Sequence, residues 1–517
     1  MERNLSMPSA FSMLLQQTTR RLSMSNTIKN LFVGLPILHT TGNLNVAVTS
    51  ICTDSRRVAP GSIFFALPGH RVDGNEYIDE AVMRGAVAVV SEVDGGVPPR
   101  ASYLQVENVR LTLASVARRF YGNPQEDLDI IGVTGTNGKT TVTTLLKYLL
   151  AEDNDPIGLI GTVAYEVGKR TLPAGRTTPD SVDLQAMFAQ MKDARCRTAI
   201  MEVSSHGIDQ HRVANVDFKV AAFLNLTQDH IDYHKDFESY YQVKRRVFTG
   251  ENGSVPENAV INIDDSYGAR LLKEIPGDLA VTTFGLQKKA DFRAEEIELN
   301  HDGSHFDLVC PEGRLKIKSP LLGSYNVSNV LAAFAIAWRC GADLPKIAKK
   351  LTSFAGVPGR MERVDMGQPF NVLVDYAHTD DALRNAVRML KDITPGRLLV
   401  VFGCGGNRDR GKRPLMTQAV TEYADMAWAT ADNPRGESIE VIFEDMKPGV
   451  VKEACITFTE DRRWAIHLAL ETAEPGDTVL IAGKGHETYQ EFSDTVIPFD
   501  DRQVARELLN LKLNPQD

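Results

Sequence analysis

The stretch Asp129-Ile130-Ile131-Gly132-Val133-Thr134-Gly135-Thr136-Asn137-Gly138-Lys139-Thr140-Thr141 decides how the rest of the chain is read. An apolar run of strand length meets a loop with two glycines and a lysine, then a helix-forming segment from Val142 to Leu150. Gly135 and Gly138 let backbone N–H groups approach phosphate oxygens, and the following helix turns its positive end toward them. Lys139 adds a cation, and the Thr140 hydroxyl suits Mg²⁺. The longer G-x-x-x-x-G-K-T pattern is incomplete, because Val133 stands where its first glycine would be. With a strand before it and a helix after it, the loop predicts a nucleoside triphosphate as ligand.

The 517 residues predict about three domains, since single cores rarely grow past roughly 250 to 300 residues. A hydrophobic fraction of 43% supports folded cores throughout. The net charge of -10 and pI near 5.7 argue against general binding to nucleic acid or an anionic membrane. Six cysteines (Cys52, Cys196, Cys310, Cys340, Cys404, Cys455) fall at no C-x-x-C spacing, so neither a zinc site nor a disulfide framework is expected, and a reducing cytoplasm fits. No apolar run approaches the roughly 20 residues a membrane-spanning helix needs. Met1 to Met24 is rich in Ser, Thr, Met and Arg; it reads as a transit peptide, an over-extended start or a disordered tail, with little order expected over 1–26.

From Thr27 to Leu128 the pattern is compact α/β. Ile51 to Arg56 ends a strand in a polar loop, Gly61 to Leu67 is a second strand, and the loop that follows carries His70, Arg71 and Val72. Loops with Ser55, His70 and Arg71 can bind an anion; the alternative is ordinary solvated turns. The block from Asp129 to Val357 places Thr177 and Thr178 before a helix from Ser181 to Lys192. Glu202 stands at the end of a strand from Thr198, where an α/β nucleotide enzyme puts an acidic metal ligand. The strand Val220 to Leu226 leads to His230 and His234; no Glu follows His230 as in H-E-x-x-H, which disfavours a zinc hydrolase. By spacing alone, Lys244 in Tyr240 to Phe248 reads as part of a solvated basic helix face.

In the block from Pro358 to Asp517, apolar strands end repeatedly in polar loops: Val372 to Val374 before Asp375-Tyr376-Ala377-His378, Leu398 to Phe402 before Gly403 to Arg413, Met426 to Thr430 before Asp432-Asn433-Pro434-Arg435, and Val479 to Ile481 before Gly483-Lys484-Gly485-His486-Glu487. Helices between them predict an open parallel sheet with a binding crevice at its carboxyl edge. Gly403, Gly405 and Gly406 do not match G-x-G-x-x-G, and no helical run is expected directly after them, so a dinucleotide fold is set aside.

Taken together, Thr134 to Thr140, Met201-Glu202-Val203-Ser204-Ser205-His206, Asp229-His230, Lys244, Gly359-Arg360-Met361-Glu362, Asp375 to His378, Gly405 to Asp409 and Gly483 to Glu487 resemble the Mur ligases of peptidoglycan synthesis, in the same order and over nearly everything after residue 27. Asp432-Asn433-Pro434-Arg435 resembles the form of that motif that goes with meso-diaminopimelate rather than L-lysine. Arg176 stands where close relatives tend to have Asn, and Asp380 replaces a usual proline.

The resemblance implies an α/β protein of three domains: an N-terminal α/β UDP-binding domain (27–128), a central P-loop ATPase-like parallel sheet with helices (129–357) and a C-terminal Rossmann-like α/β domain (358–517). It implies ATP, two Mg²⁺ ions and a CO₂-derived carbamate on Lys244, the last because an ammonium would repel the metal. Thr140, Glu202, His230 and Lys244 are the implied metal ligands, and Lys139, Lys244, Glu202 and His230 the implied catalytic groups. Gly135, Thr136, Asn137, Gly138, Lys139, Thr140, Thr141, Asn262, Asp264, Asp265, Asn326 and Arg360 would surround the nucleotide. A UDP-N-acetylmuramoyl-dipeptide would lie along Thr53, Ser55, His70, Arg71, Val72, Thr177, Thr178, Ser204, Gln210 and Arg212. The incoming amino acid would meet Arg408, Asp432, Asn433, Pro434, Arg435, Gly483 and Glu487. Lysine in place of diaminopimelate is expected to leave Arg435 unpaired, a penalty of roughly 10⁴- to 10⁵-fold at a polar site of this kind. A cytoplasmic monomer with neither nucleic acid nor membrane as partner is expected. Two alternatives stay open: another amide ligase of the superfamily, such as folylpolyglutamate synthetase or the enzyme adding D-alanyl-D-alanine, and a catalytically idle, nucleotide-responsive homologue.

Overall fold

The computed structural model describes residues 26–69, 72–94, 100–152, 155–227, 231–452 and 455–514. The expectation for the 1–26 tail therefore lies almost wholly outside the described residues. The chain divides into two units, Met1–Phe292 with Ala332–Ala342, and Arg293–Leu331 with Asp343–Asp517.

The first unit opens with strands β1 (His39–Thr41), β2 (Ser50–Cys52), β3 (Ser62–Phe65), β4 (Ala88–Ser91) and β5 (Ser102–Gln105), paired in the order β1-β5-β4-β3-β2 with only β1 antiparallel. Ile63, Phe65, Val90 and Leu104 pack against Leu113, Val116 and Phe120 of a helix, Val109–Phe120. The Asn108 side chain caps that helix, accepting from Leu111 N at 2.9 Å.

A second sheet in this unit holds β6 (Asp129–Thr134), β7 (Ile157–Ile160), β8 (Ala164–Val167), β9 (Arg170–Pro173), β10 (Thr198–Glu202), β11 (Phe218–Phe223), β12 (Asn258–Asn262) and β13 (Ala280–Gly285), in the order β13-β12-β11-β6-β10-β7-β8-β9. Its middle is parallel and buried on both faces, so Ile130 to Thr134 read as a continuous run rather than an alternation. Arg118 pairs with Asp217 at 2.9 Å, Asn215 donates to Ser115 at 2.9 Å and Gln125 donates to Asn215 O at 2.8 Å, which fixes the Val109–Phe120 helix to this second sheet.

The second unit begins with an antiparallel meander, β14 (Phe292–Asn300), β15 (Gly303–Cys310) and β16 (Gly313–Ser319). It continues with β17 (Glu362–Arg363), β18 (Asn371–Asp375), β19 (Leu398–Cys404), β20 (Met426–Ala431), β21 (Ile456–Phe458) and β22 (Thr478–Ala482), ordered β17-β18-β22-β19-β20-β21 and parallel but for β17. A hairpin, β23 (Tyr489–Phe492) and β24 (Thr495–Pro498), precedes the last helix, Asp501–Leu513. Leu398, Val400 and Phe402 enter one core and Leu399 and Val401 the other, the two-residue period of a strand covered on both faces.

The strands expected from sequence are present, with shifts at their ends. The helix after the phosphate loop begins at Lys139 rather than Val142, and the alanine-rich helix begins at Ser324 rather than Val330, so Asn326 lies in its first turn. A helix from Lys412 to Tyr423 comes after the glycine-rich loop of β19, but residues 407–411 separate it from Gly406, so no helix follows the glycines directly.

Candidate active site

By register, Glu202 at the end of β10 lies beside Val133, and Phe223 at the end of β11 lies beside Thr134. The loop of residues 135–138 therefore leaves the sheet at the carboxyl edge of β6, flanked by both neighbours' exits. Thr136 N donates to Asn225 O at 3.0 Å, Asn137 N donates to Asn225 Oδ1 at 2.9 Å, and Thr227 N donates to Thr136 Oγ1 at 3.0 Å. These bonds tie the loop to the segment that leaves β11. Gly138 sits at φ +87°, a left-handed position that launches the helix at Lys139. Lys139 Nζ curls back to donate to Gly135 O and Thr136 O, each at 2.8 Å.

Lys244 overturns the solvated-face expectation. It is 1% exposed on the helix Phe237–Thr249, with Nζ 3.2 Å from Gly135 O, 3.3 Å from Thr134 Oγ1 and 4.8 Å from the Tyr240 ring centre. It belongs to the inward stripe Tyr240, Lys244, Val247 and Phe248, whereas Arg245 and Arg246 face outward to Glu251, Glu274 and Asp209. Glu202 is equally buried; Oε1 accepts from Thr162 N and Oε2 from Thr162 Oγ1, both at 2.9 Å. A Cβ on Gly161 would stand 2.5 Å from Glu202 Oε1, so the glycine leaves room for the carboxylate. Thr140 and Glu202 offer the hard oxygens that Mg²⁺ prefers. His230 lies outside the described residues, and among those described no cluster of three or more His, Cys, Asp or Glu is placed to hold a metal.

Asn262, Asp264 and Asp265 organise the loop after β12. Asn262 donates to Leu224 O at 2.8 Å, Asp264 accepts from Gln287 N at 3.0 Å and Lys288 N at 2.9 Å, and Asp265 caps the helix Ser266–Glu274 while accepting from Leu226 N at 3.1 Å. Burial raises the Asp265 carboxyl above its usual range.

Beside Glu202, the Thr178 hydroxyl donates to Glu202 O at 2.8 Å and accepts from Ser204 N at 2.9 Å, while Thr177 and Thr162 hydroxyls meet at 3.1 Å. Arg212 donates to Thr178 O at 2.8 Å and to Gln210 Oε1 at 2.7 Å. Thr53, Arg110, Arg176, Gln210 and Arg212 line one cavity of about 260 Å³, three of them cationic, as an anionic substrate requires. Arg110 was not singled out from sequence, because it sits on a helix that gives no loop signal. Ser55 is buried and its hydroxyl donates to Glu80 at 2.8 Å; Val72 is exposed, and His70 and Arg71 lie outside the described residues.

In the second unit, Asp432 to Arg435 follow β20 and Gly483 to Glu487 follow β22, at the same edge of the sheet. Lys484, fully buried, joins them: its ammonium donates to Asn433 Oδ1 at 3.1 Å and Glu487 Oε2 at 3.2 Å and lies 3.5 Å from Asp432 Oδ1. Asn433 donates to Glu487 Oε2 at 3.0 Å. A Cβ on Gly406 would collide with Pro434 O at 1.7 Å, so the glycine-rich loop packs on the Asn433–Pro434 turn. Arg408 is exposed on that loop. Arg435, at φ +52°, donates from Nε to Glu491 Oε2 at 2.9 Å and from a terminal nitrogen to Gly406 O at 3.0 Å. Arg435 is thus already paired, which removes the premise of the 10⁴- to 10⁵-fold penalty expected for lysine. Asn326 donates to Leu322 O at 2.9 Å, and the Arg360 guanidinium lies 4.8 Å from the Tyr376 ring centre. Near it, burial and the charges of Arg360 and Arg502 push His486 down to about 4.

Models of three families match in chain order: the Mur ligase family catalytic domain at residues 47–121, the Mur ligase middle domain at 133–337 and the Mur ligase glutamate ligase domain at 359–485. The chain is 45% identical over 463 residues to a protein of Solibacter usitatus named UDP-N-acetylmuramoyl-L-alanyl-D-glutamate--2,6-diaminopimelate ligase, covering 89% of this chain and 93% of that one. The chain belongs to the Mur ligase family. A relative of the same name from Geobacillus thermodenitrificans is 44% identical over 474 residues, 91% of this Mur ligase and 96% of its own length. A solved structure of a ligase of that name superposes with a TM-score of 0.71 at 34% identity, covering 95% of this Mur ligase and all of that chain.

Three groups of this Mur ligase escaped the sequence reading. Lys484 lies inside the Gly483–Glu487 motif with no role of its own read from it, Glu491 lies beyond that motif, and Arg462, the first residue of the helix Arg462–Thr472, follows none of the site loops. Arg462 is fully buried with Asp501, donating to its two oxygens at 2.8 and 2.7 Å and to Ala482 O at 2.9 Å. That carbonyl ends β22, and the weaker 3.5 Å contact with Ala431 O reaches the end of β20. One guanidinium therefore spaces the two strands whose loops carry Asp432 and Gly483.

Proposed function

We propose that the protein joins meso-diaminopimelate to UDP-N-acetylmuramoyl-L-alanyl-D-glutamate at the expense of ATP, in the cytoplasm, as a step of peptidoglycan precursor synthesis. The observation that supports this most is the 45% identity over 463 residues to a ligase named for those substrates. In this reading, residues 27–128 serve the nucleotide sugar, 129–357 the ATP and 358–517 the amino acid.

A carboxylate and an amine do not condense unaided in water, so the carboxylate is activated first. An oxygen of the glutamate side-chain carboxylate attacks the γ-phosphorus of ATP, the bond to the β-phosphate oxygen breaks, and an acyl phosphate and ADP result. The diaminopimelate amine, once deprotonated, attacks the acyl carbon; phosphate leaves, and the remaining amine proton passes to solvent. Phosphoryl transfer between anions is a matter of alignment and charge neutralisation. Lys139 and the amides of residues 135–141 would hold the phosphates, with Asn262, Asp264, Asp265, Asn326 and Arg360 as further nucleotide contacts.

Thr140, Glu202, His230 and, as its carbamate, Lys244 would hold two Mg²⁺ ions, whose charge would neutralise the phosphates. The position of Lys244 against Gly135 O supports that role, because carbamylation there would put an anion at the phosphate loop. Thr53, Thr177, Thr178, Ser204, Gln210 and Arg212 would hold the nucleotide-linked dipeptide. Asp432, Asn433, Arg435, Gly483 and Glu487 would receive the amine substrate, Arg435 binding its distal carboxylate.

The test supplies purified protein with ATP, Mg²⁺, UDP-N-acetylmuramoyl-L-alanyl-D-glutamate and diaminopimelate, and measures phosphate release and the tripeptide product. Arg435→Ala should raise KM for diaminopimelate far more than for ATP. Absence of phosphate release with all substrates present would overturn the reading.

A further inference from the structure

Arg435 and Glu491 meet through backbone as well as side chain. Arg435 N donates to Glu491 O at 2.9 Å, Ser493 N donates back to Arg435 O at 2.6 Å, and Glu491 N donates to Asn433 Oδ1 at 3.1 Å. The first strand of the β23-β24 hairpin is thereby laid along the Asp432–Arg435 turn, so the position of Glu491 is set by main chain. Its Oε2 takes the Nε–H edge of the guanidinium at 2.9 Å, and Gly406 O takes one hydrogen of a terminal nitrogen at 3.0 Å. That geometry orients the plane and uses two of the guanidinium's five N–H groups, so others remain to meet a substrate carboxylate.

We propose that Glu491 is a specificity-determining residue that relaxes discrimination between diaminopimelate and lysine by giving Arg435 a counter-charge of its own. The inference rests on Arg435 reading the distal carboxylate, as proposed above. Two consequences of the geometry act in one direction. When lysine binds, Arg435 keeps a partner, so the cost of an unpaired guanidinium is largely removed. When diaminopimelate binds, its carboxylate approaches a cation already shared with Glu491 and is repelled by that neighbour, so it gains less. Both side chains keep some contact with solvent, 22% for Arg435 and 35% for Glu491, which bounds the effect to that of a partly screened pair.

The test is Glu491→Gln, which preserves shape and an oxygen for Arg435 Nε but removes the charge. kcat/KM is measured with diaminopimelate and with L-lysine, ATP and the nucleotide-sugar dipeptide held saturating. The ratio of the two should rise about tenfold in the variant, carried by KM rather than kcat. Glu491→Asp, which keeps the charge, should stay within about threefold of the parent ratio; it guards against a general distortion of the hairpin, and a thermal melt guards against unfolding. A ratio that is unchanged or lower in Glu491→Gln overturns the inference while leaving the ligase reading intact. A parent protein silent with both amines overturns the ligase reading and this inference with it.

Discussion

Replacing Arg462 by methionine should cost the second unit much of its stability, and the size of the loss can be worked from its surroundings. Arg462 and Asp501 are both fully buried, joined by bonds of 2.8 and 2.7 Å. Methionine removes the cation but leaves the Asp501 carboxylate in the interior, a situation that costs about 3–5 kcal/mol. Ala482 O also loses its 2.9 Å donor, a penalty that overlaps the first rather than adding to it. For a unit of roughly 200 residues each kcal/mol moves the melting temperature by about 2–4 °C, so the single variant should melt roughly 10 °C lower. Trp428, packed with Ala465 and Ile466 of the helix that begins at Arg462, reports that transition by fluorescence.

The companion variant Arg462→Met/Asp501→Leu removes both charges and should recover most of the loss, because apolar residues of similar volume replace buried ion pairs at little cost. Even so, it should raise KM for diaminopimelate and leave KM for ATP alone, since Ala431 and Ala482 lose their common anchor. A single variant within about 2 °C of the parent, or a double variant as unstable as the two singles summed, would refute the reasoning.

Lys139→Ala should slow ADP release by at least about 100-fold, because it removes the phosphate loop's cation. Lys244→Arg keeps a cation but cannot take up CO₂; it should be inactive, and parent-like phosphate release from that variant would exclude a carbamate. Burial and the neighbouring Asp180 charge raise Asp183 to about 7. Its folded value lies above the unfolded one, so the native state holds the proton longer, and the stability this gives below about pH 4 is lost as pH rises through 7. Asp183→Asn should therefore gain stability over the parent between pH 5 and 7 and level off above, and a gain equal at pH 5 and pH 8 would contradict the assignment.

How much of this was legible in the sequence depended on whether a group's role followed from its immediate neighbours. Ile130 to Lys139 could be read because strand, glycine loop and helix start are adjacent, and the structure places each where its neighbours imply. The carboxyl-edge loops of β18, β19, β20 and β22 were legible for the same reason. Glu491 was not, since its meeting with Arg435 depends on how the hairpin docks, and no residue beside it records that. The partner of Ser55 was not legible either, since Glu80, which accepts from its hydroxyl, lies 25 positions away.

Lys244 is a different kind of miss, because the signal was present. Tyr240, Lys244, Val247 and Phe248 keep the spacing of an inward helical stripe, and Lys244 occupies its middle. Arg462 stands at the head of the stripe Ala465, Ile466, Ala469 and Leu470, and Arg413 at the head of Met416, Thr417, Val420 and Thr421. A cation in such a register must be buried, and at a helix start it also faces the positive end of the dipole. Both costs have to be offset by partners brought from elsewhere. Arg413 takes Glu437 at 2.8 Å and Asp445 at 2.7 Å, and donates to Gly405 O at 3.2 Å; Arg462 takes Asp501 and Ala482 O; Lys244 takes Gly135 O. In each case a contact falls on the loop, or on the strand end beside it, where the proposed chemistry lies. A basic residue inside an apolar helical stripe is thus a search criterion that needs no alignment, and in this chain it leads from three helices to the phosphate loop, the glycine-rich loop of β19 and the base of the Gly483 loop.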